Sequence, residues 1–302
     1  MTERSSKNGR PLRVLVTGGA GFLGRHLVAK LLDQGCEVVA LVRQSSDYRW
    51  LQDRGVRLVF GDVRDAAVLR SAMVGVQVVV HAAATMAGSW EDFYAINVES
   101  TRKLLELCKK RRIKRFVYIS SVSVYDHTRA HDGFTFTEDM PFQSEQLTHY
   151  SRSKIEAEKV VQEYIDGANV PCVILRPGAL YGVGGPLYPA QLGLPLGSTR
   201  FALIGSGESA LPLCHVQSVA DAMWLAIENR SAVGKAYNIM EQETISRKAF
   251  LDKVRATVNP ELRVVAVPYW FLRSVSFGFQ VLFGVLGRRA PLRPLYLKTA
   301  ST

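Results

Sequence analysis

The chain has 302 residues, 47% of them hydrophobic, which is enough for one large or two small domains with a sizeable core. Ordinary glycine and proline contents exclude a fibrous or low-complexity chain. The net charge of +11 sits at the ends, with net +3 in residues 1–13 and net +8 in residues 247–302; the neutral middle argues against a nucleic-acid-binding face on the body.

Residues 1–11 are polar and basic, lack the apolar stretch of a secretory signal, and read as a disordered lead-in. Apolar runs at Arg13–Thr17, Glu37–Val42, Val56–Phe60, Val76–His81 and Arg115–Ser120 predict strands. Between them, Phe22–Gln34, Tyr48–Asp53, Ala66–Val74 and a long stretch from about Glu91 to Arg112 predict helices. Gly35 closes the first helix and Asp65 is placed to cap the third. A helix over Ser151–Asp166 and a strand over Pro171–Arg176 follow. Short apolar strands separated by helices imply an α/β fold with a doubly wound parallel sheet covered on both faces.

After Pro177 the glycine- and proline-rich stretch Gly178–Gly207 reads as long loops. A helix over Val216–Glu228 and a strand over Ala236–Ile239 come next. Val264–Gly287 is strongly apolar and broken only by Arg273. Its uncharged part, Ser274–Gly287, is 14 residues long, short of the about 20 that span a bilayer. Core helices are the expectation here. A peripheral helix on an anionic membrane, flanked by Arg288, Arg289 and Arg293, stays open. Cys36, Cys108, Cys172 and Cys214 show no metal or disulfide spacing and read as buried thiols of a cytoplasmic protein. No metal site is expected.

The glycine-rich segment Thr17–Gly24 lies between the first strand and the first helix. Gly19, Gly21 and Gly24 fit G-x-G-x-x-G, the turn that sets a pyrophosphate on a helix N-terminus. Gly18, Phe22 and Leu23 complete that cofactor-binding segment. Downstream, Tyr150 and Lys154 stand one helical turn apart and share a face. A free phenol titrates near 10, and a cation one turn away favours its ionised form. Such a pair suits proton transfer at an oxygen while hydride moves at carbon. Taken alone, Y-x-x-x-K also describes any amphipathic surface helix.

These motifs resemble the extended short-chain dehydrogenase/reductases, the group of NAD-dependent epimerase/dehydratases and 3β-hydroxysteroid-dehydrogenase-like enzymes. The resemblance runs from Val14 to about Ile239 through Thr17–Gly24, Gly61-Asp62-Val63, His81–Ala84, Asn97-Val98, Ile119-Ser120-Ser121, Tyr150-x-x-x-Lys154, Arg176-Pro177-Gly178 and His215-Val216. It implies a Rossmann-type NAD(P)-binding domain over 12–177, to which 205–240 returns in part, and a smaller C-terminal substrate lobe over 178–302. Family members usually run somewhat longer, so an incomplete C-terminus stays open; dimers are frequent in the family, so a homodimer stays open too.

The resemblance makes Tyr150 the general acid/base, Lys154 its activator and ribose anchor, and Ser121 the residue bonded to the reacting oxygen, with Ser120 and Ser123 as competitors. It places Asp62 and Val63 at the adenine, the segment His81–Ala84, with Ala82 and Ala83, along the nicotinamide side of the cleft, and Pro177 at the cofactor. Asn97 supports the active-site backbone or is a plain helix polar residue. His215 reads as a structural histidine. Dehydratases of the family carry an Asp-Glu pair where this chain has Val122 and Ser123, so elimination chemistry is disfavoured. Strand two ends in Arg43 rather than an acid; a guanidinium suits a 2′-phosphate and has no acceptor for a ribose hydroxyl, so NADP(H) is expected over NAD(H). An exposed arginine opening a loop is the alternative reading of Arg43.

The function expected is interconversion of a secondary alcohol and a ketone on a bulky lipophilic small molecule. Two alternatives remain: a nucleotide-sugar epimerase holding NAD tightly, with Arg200 or Arg293 at the diphosphate, and a non-catalytic NAD(P)-sensing protein.

Overall fold

The computed structural model describes residues 11–126, 136–145, 147–167, 169–268, 270, 271 and 274. The first part of the chain alternates β1 (Arg13–Thr17), α1 (Phe22–Asp33), β2 (Glu37–Val42), α2 (Arg49–Gln52), β3 (Arg57–Phe60), α3 (Ala66–Ala72) and β4 (Val78–His81). Then come α4 (Trp90–Phe93), a π-helical segment (Tyr94–Glu99), α5 (Ser100–Arg111), β5 (Arg115–Ile119), a 3-10 turn (Val122–Val124), α6 (His149–Asp166) and β6 (Cys172–Pro177). The remainder holds β7 (Ala179–Tyr181), β8 (Gly193–Pro195), β9 (Arg200–Ile204), β10 (Ala210–Leu211), β11 (Leu213–His215), α7 (Val216–Glu228), β12 (Ala236–Ile239), β13 (Ile245–Ser246), α8 (Arg247–Thr257) and β14 (Arg263–Val267).

Seven parallel strands form the main sheet in the order β12-β6-β5-β4-β1-β2-β3. The inner strands are apolar along their whole length because both faces are covered. Val14 and Val16 pack on one side with Leu27, Val28 and Leu31 of α1 and Met223 of α7. Leu15 faces the other side with Leu69 of α3, Leu104 and Leu105 of α5, and Val160 of α6. Strand order reverses between β1 and β4. Their carboxyl ends therefore splay their loops apart and open the crevice where such sheets bind ligands.

Three expectations change in the structure. The stretch from Glu91 to Arg112 is not one regular helix, because Tyr94–Glu99 winds as a π-helix. There, Ser100 and Thr101 bond back to the carbonyls of Ile96 and Asn97, a habit of hydroxyl residues that bends helices. Second, Gly178–Gly207 is not all loop: β7, β8 and β9 lie inside it, and β9 buries Phe201, Leu203 and Ile204. Third, the apolar stretch opening at Val264 begins as a strand, in keeping with its β-branched Val-Val-Ala-Val run. The rest of that stretch, including Arg288, Arg289 and Arg293, lies outside the described residues apart from Trp270, Phe271 and Ser274. The lead-in 1–10 lies outside them too.

β8, β9 and β14 form a separate three-stranded sheet whose one face packs on α8 through Phe201, Leu203, Leu251 and Val254. All four cysteines are buried and free. No helix among the described residues is long and apolar enough to cross a membrane.

Candidate active site

The glycine turn is built for close approach. Gly18 has φ +74°, and a Cβ there would sit 3.0 Å from the Ala83 backbone. A Cβ on Gly24 would lie 2.1 Å from the Gly18 carbonyl oxygen, and one on Gly19 would lie 3.0 Å from the Ala40 side chain. Gly21 caps α1 without a side-chain hydrogen bond, which leaves first-turn N–H groups and the positive end of the helix for an anion. Phe22 and Leu23, both half-buried, begin that helix. A dinucleotide phosphate fits this cradle.

Thr17 and His81, at the ends of β1 and β4, join the two loops. The Ala83 N–H donates to Thr17 Oγ1 at 3.2 Å, and Thr17 Oγ1 lies 2.6 Å from His81 Nδ1. His81 Nε2 lies 3.0 Å from Thr101 Oγ1, whose own proton goes to the Asn97 carbonyl. That order of donors makes His81 a neutral imidazole protonated at Nε2. Burial, reinforced by the Lys154 charge, pushes its pKa down to about 3. This corrects the expectation for His81: its ring is buried and turned into the core. Ala82 and Ala83 are half-buried and Ala84 is exposed at the same loop.

Asn97, on the π-helical segment, accepts from the Thr85 N–H at 2.8 Å and donates to Ser153 Oγ at 2.8 Å. Ser153 in turn donates to the Tyr150 carbonyl. Of the two readings of Asn97, the structure thus shows a brace between the loop after β4 and α6. Thr148 caps α6 by accepting from the Ser151 N–H at 3.0 Å. The helix therefore starts before Ser151, and Tyr150 sits in its first turn, at the positive end of the helix dipole.

Ser121 hydrogen-bonds the Tyr150 phenol, which favours the phenolate, but burial outweighs it and raises the Tyr150 pKa above its ordinary value. Lys154 is buried, donates to the Ile119 carbonyl at 2.8 Å, and lies 5.9 Å from the Tyr150 ring centroid. Burial pushes its pKa down to about 8, against the opposing charge of Glu158. The net shift of the Tyr150 phenol is therefore upward, opposite to the lowering expected from Lys154, because burial outweighs what favours the phenolate. Of the competing serines, Ser120 is buried and donates to Glu158, while the Ser123 hydroxyl is buried with no partner among the described residues. Val122 packs in an apolar cluster with Val124, Tyr125 and Ile155.

Glu158, one turn beyond Lys154, is a site residue that sequence reasoning missed. Arg176 at the end of β6 grips it with Nη2 at 2.7 Å and Nε at 3.1 Å, both side chains being buried. Arg176 also donates to Tyr125 Oη at 2.6 Å and to the Glu138 carbonyl at 2.9 Å, and Tyr125 donates to Asn238 Oδ1 at 2.8 Å. The spacing Tyr150, Lys154, Glu158 was the signal, since all three share one face. Also missed were Trp90 and Phe93, whose rings lie 6.1 and 5.9 Å from His149 beside Tyr150, and Arg152, stacked 3.9 Å over Trp90.

Arg43 is exposed just beyond β2, and its charge helps to lower the Asp62 pKa. Arg64 holds Asp62 in a fork, Nε at 2.9 Å and Nη2 at 2.8 Å. The Asp62 carboxylate is thus occupied by Arg64, although its remaining lone pairs leave room for a further donor. Val63 is half-buried beside it, and Pro177 is buried at the end of β6. Arg200 is exposed on β9, remote in sequence from these groups, and Arg293 lies outside the described residues. His215 caps α7, as a structural histidine would, by accepting from the Gln217 N–H at 3.3 Å.

Residues 14–239 match the family described as "NAD dependent epimerase/dehydratase family". The chain belongs to that family. It is an NAD(P)-dependent enzyme of the extended short-chain dehydrogenase/reductase type. Among similar proteins is a 2-alkyl-3-oxoalkanoate reductase of Stenotrophomonas maltophilia, 31% identical, with 82% of this chain and 76% of that protein covered. The human decarboxylating sterol-4-alpha-carboxylate 3-dehydrogenase is 30% identical over 85% of this chain and 70% of that protein. A ketoreductase of a farnesyl dihydroquinoline oxide from Stigmatella aurantiaca is 28% identical over 88% of this chain and 79% of that protein. Among solved structures, dTDP-glucose 4,6-dehydratase of Bacillus anthracis, in complex with NAD, superposes with a TM-score of 0.72 at 25% identity, covering 85% of each chain.

Proposed function

We propose that this enzyme reduces a ketone on a bulky lipophilic small molecule, or oxidises the matching secondary alcohol, with NADP(H) as its exchanging cofactor. The observation that carries the reading is the placement of the Tyr150 phenol, hydrogen-bonded to Ser121 with the buried Lys154 one turn along α6, where burial raises the phenol pKa and so favours its protonated form. A neutral phenol is a proton donor, which is what carbonyl reduction asks of it.

A bound nicotinamide would supply or accept the hydride. Gly18, Gly19, Gly21, Phe22, Leu23 and Gly24 would hold the pyrophosphate, Asp62 and Val63 the adenine, Ala82, Ala83 and Pro177 the nicotinamide side, and Lys154 the ribose. Ser121 and Tyr150 orient the substrate oxygen. Tyr150 gives that oxygen its proton, and Lys154 with the α6 N-terminus stabilises the phenolate left behind. In the oxidising direction the phenolate takes the proton back.

Arg43 supports NADP(H): it is exposed, and among the described residues it has no ion pair closer than its long-range effect on Asp62. The lipophilic substrate is supported by the named substrates of the three relatives and by exposed Met86 beside the loop after β4. Elimination lacks support because Val122 is packed away and Ser123 is no acid. The test is turnover with 2-alkyl-3-oxoalkanoates and a 3-ketosteroid, following NADPH absorbance. Turnover abolished in Tyr150→Phe with NADPH binding intact is the expected result. Consumption of neither substrate class, together with interconversion of nucleotide sugars, would replace this reading with an epimerase.

A further inference from the structure

The β8–β9–β14 sheet buries one face on α8; on its other face Ala202 and Ile204 of the middle strand are buried, while the flanking strands leave apolar side chains exposed. The register defines that second face. Leu194, Ala202 and Val265 stand side by side across the three strands. Two residues along, Arg200 and Arg263 are direct neighbours, and the Leu196 N–H closes on the Arg200 carbonyl. Residues directly opposite in a sheet project to the same side. One side therefore carries Leu194, Leu196 and Val265, respectively 48%, 54% and 50% exposed, and the exposed pair Arg200 and Arg263.

Two guanidiniums in register on adjacent strands repel each other. Neither takes part in an ion pair among the described residues, so the face asks for an external anion. An apolar field with cations at its rim is the pattern that sits at a lipid headgroup boundary. Trp270 and Phe271, just past β14, are 68% and 48% exposed, and tryptophan favours that boundary. From Leu262 to Thr302 the sequence has six Arg/Lys and no acid, with the uncharged run Ser274–Gly287 between Arg273 and Arg288. A two-fold contact with a second copy would gather four uncompensated arginines in one interface, which disfavours that occupant.

We propose that this sheet face, together with Trp270 and Phe271, docks the enzyme on an anionic lipid bilayer. The proposal stands on the lobe surface and does not depend on which ketone is reduced.

The experiment is flotation of the full chain with vesicles of phosphatidylcholine, with and without about one-third phosphatidylglycerol. The protein is expected to float with the anionic vesicles at low salt and to be released at about 0.5 M salt. Leu194→Ser/Val265→Ser is expected to weaken binding by about tenfold or more, while leaving turnover of a soluble ketone unchanged as the check on folding. Arg200→Gln/Arg263→Gln is expected to flatten the preference for anionic lipid. Failure of the unaltered protein to float at low salt would overturn the proposal. So would undiminished flotation of Leu194→Ser/Val265→Ser, which would assign binding to residues after 271 alone. A dimer in light scattering that this variant turns into a monomer would show that a second copy occupies the face, and would also overturn it.

Discussion

At the residue scale, the decisive contrast is between two titratable neighbours, the half-buried Tyr150 and the buried Lys154. Burial raises the Tyr150 pKa above its ordinary value and pushes that of Lys154 down to about 8. Lys154 is charged below that value and neutral above it, and its charge stabilises the phenolate formed in reduction. The rate of ketone reduction is therefore expected to fall as pH rises through about 8, read from kcat/KM against pH. Tyr150→Phe removes the proton donor and should lower kcat by about 10²–10⁴ with little change in NADPH affinity. His81 gives a separate prediction about stability. Its folded pKa of about 3 lies below the unfolded value, so its contribution is complete above about 6.5 and is lost as pH falls toward 3. Between those limits this one group should cost about 1.4 kcal/mol of unfolding free energy per pH unit, measurable by urea titration at several pH values. The motif residues were legible in the sequence because chemistry fixes their spacing. His81 was misread because nothing local says which way a strand-end side chain turns.

At the element scale, α6 is the organising piece. Its first turn carries Tyr150, its second Lys154, and its third Glu158, which ties it to Ser120 on the β5 edge and to Arg176 on β6. Glu158→Gln leaves the buried Arg176 guanidinium without its counter-charge, a change that costs about 3–5 kcal/mol. The paired change Glu158→Leu/Arg176→Met removes both charges and should recover much of that loss in denaturant unfolding. Gln at 158 also withdraws the charge that raises the Lys154 pKa, so the descending limb of the rate profile should move to lower pH. Such a pair is hard to read from sequence, since Arg176 and Glu158 meet only when β6 lies beside α6. The main parallel strands and the helices flanking them were legible because their apolar periods are unmistakable. β7, β8 and β9 were not, because the glycines and prolines around them read as loop, and the π-helical segment has no period of its own.

At the scale of the whole molecule, the reversal of strand order between β1 and β4 brings the glycine turn, the loop after β4 and the N-terminus of α6 to one edge. The sequence points most clearly to the half of that edge where backbone geometry demands glycine. It said least about the substrate half, where apolar contacts from dispersed segments do the selecting and no motif is required. Cofactor choice is where the account is most exposed, because exchange of NADP(H) separates a reductase from an epimerase that keeps its NAD. The measurement that tests this most directly is identification by mass of any nucleotide released on denaturing the purified protein, followed by titration of the emptied protein with NADPH and NADH. The account predicts little retained nucleotide and a preference for NADPH of about tenfold or more, lost in Arg43→Ala. Near-stoichiometric NAD⁺ in the purified protein, with no preference for NADPH, would contradict it.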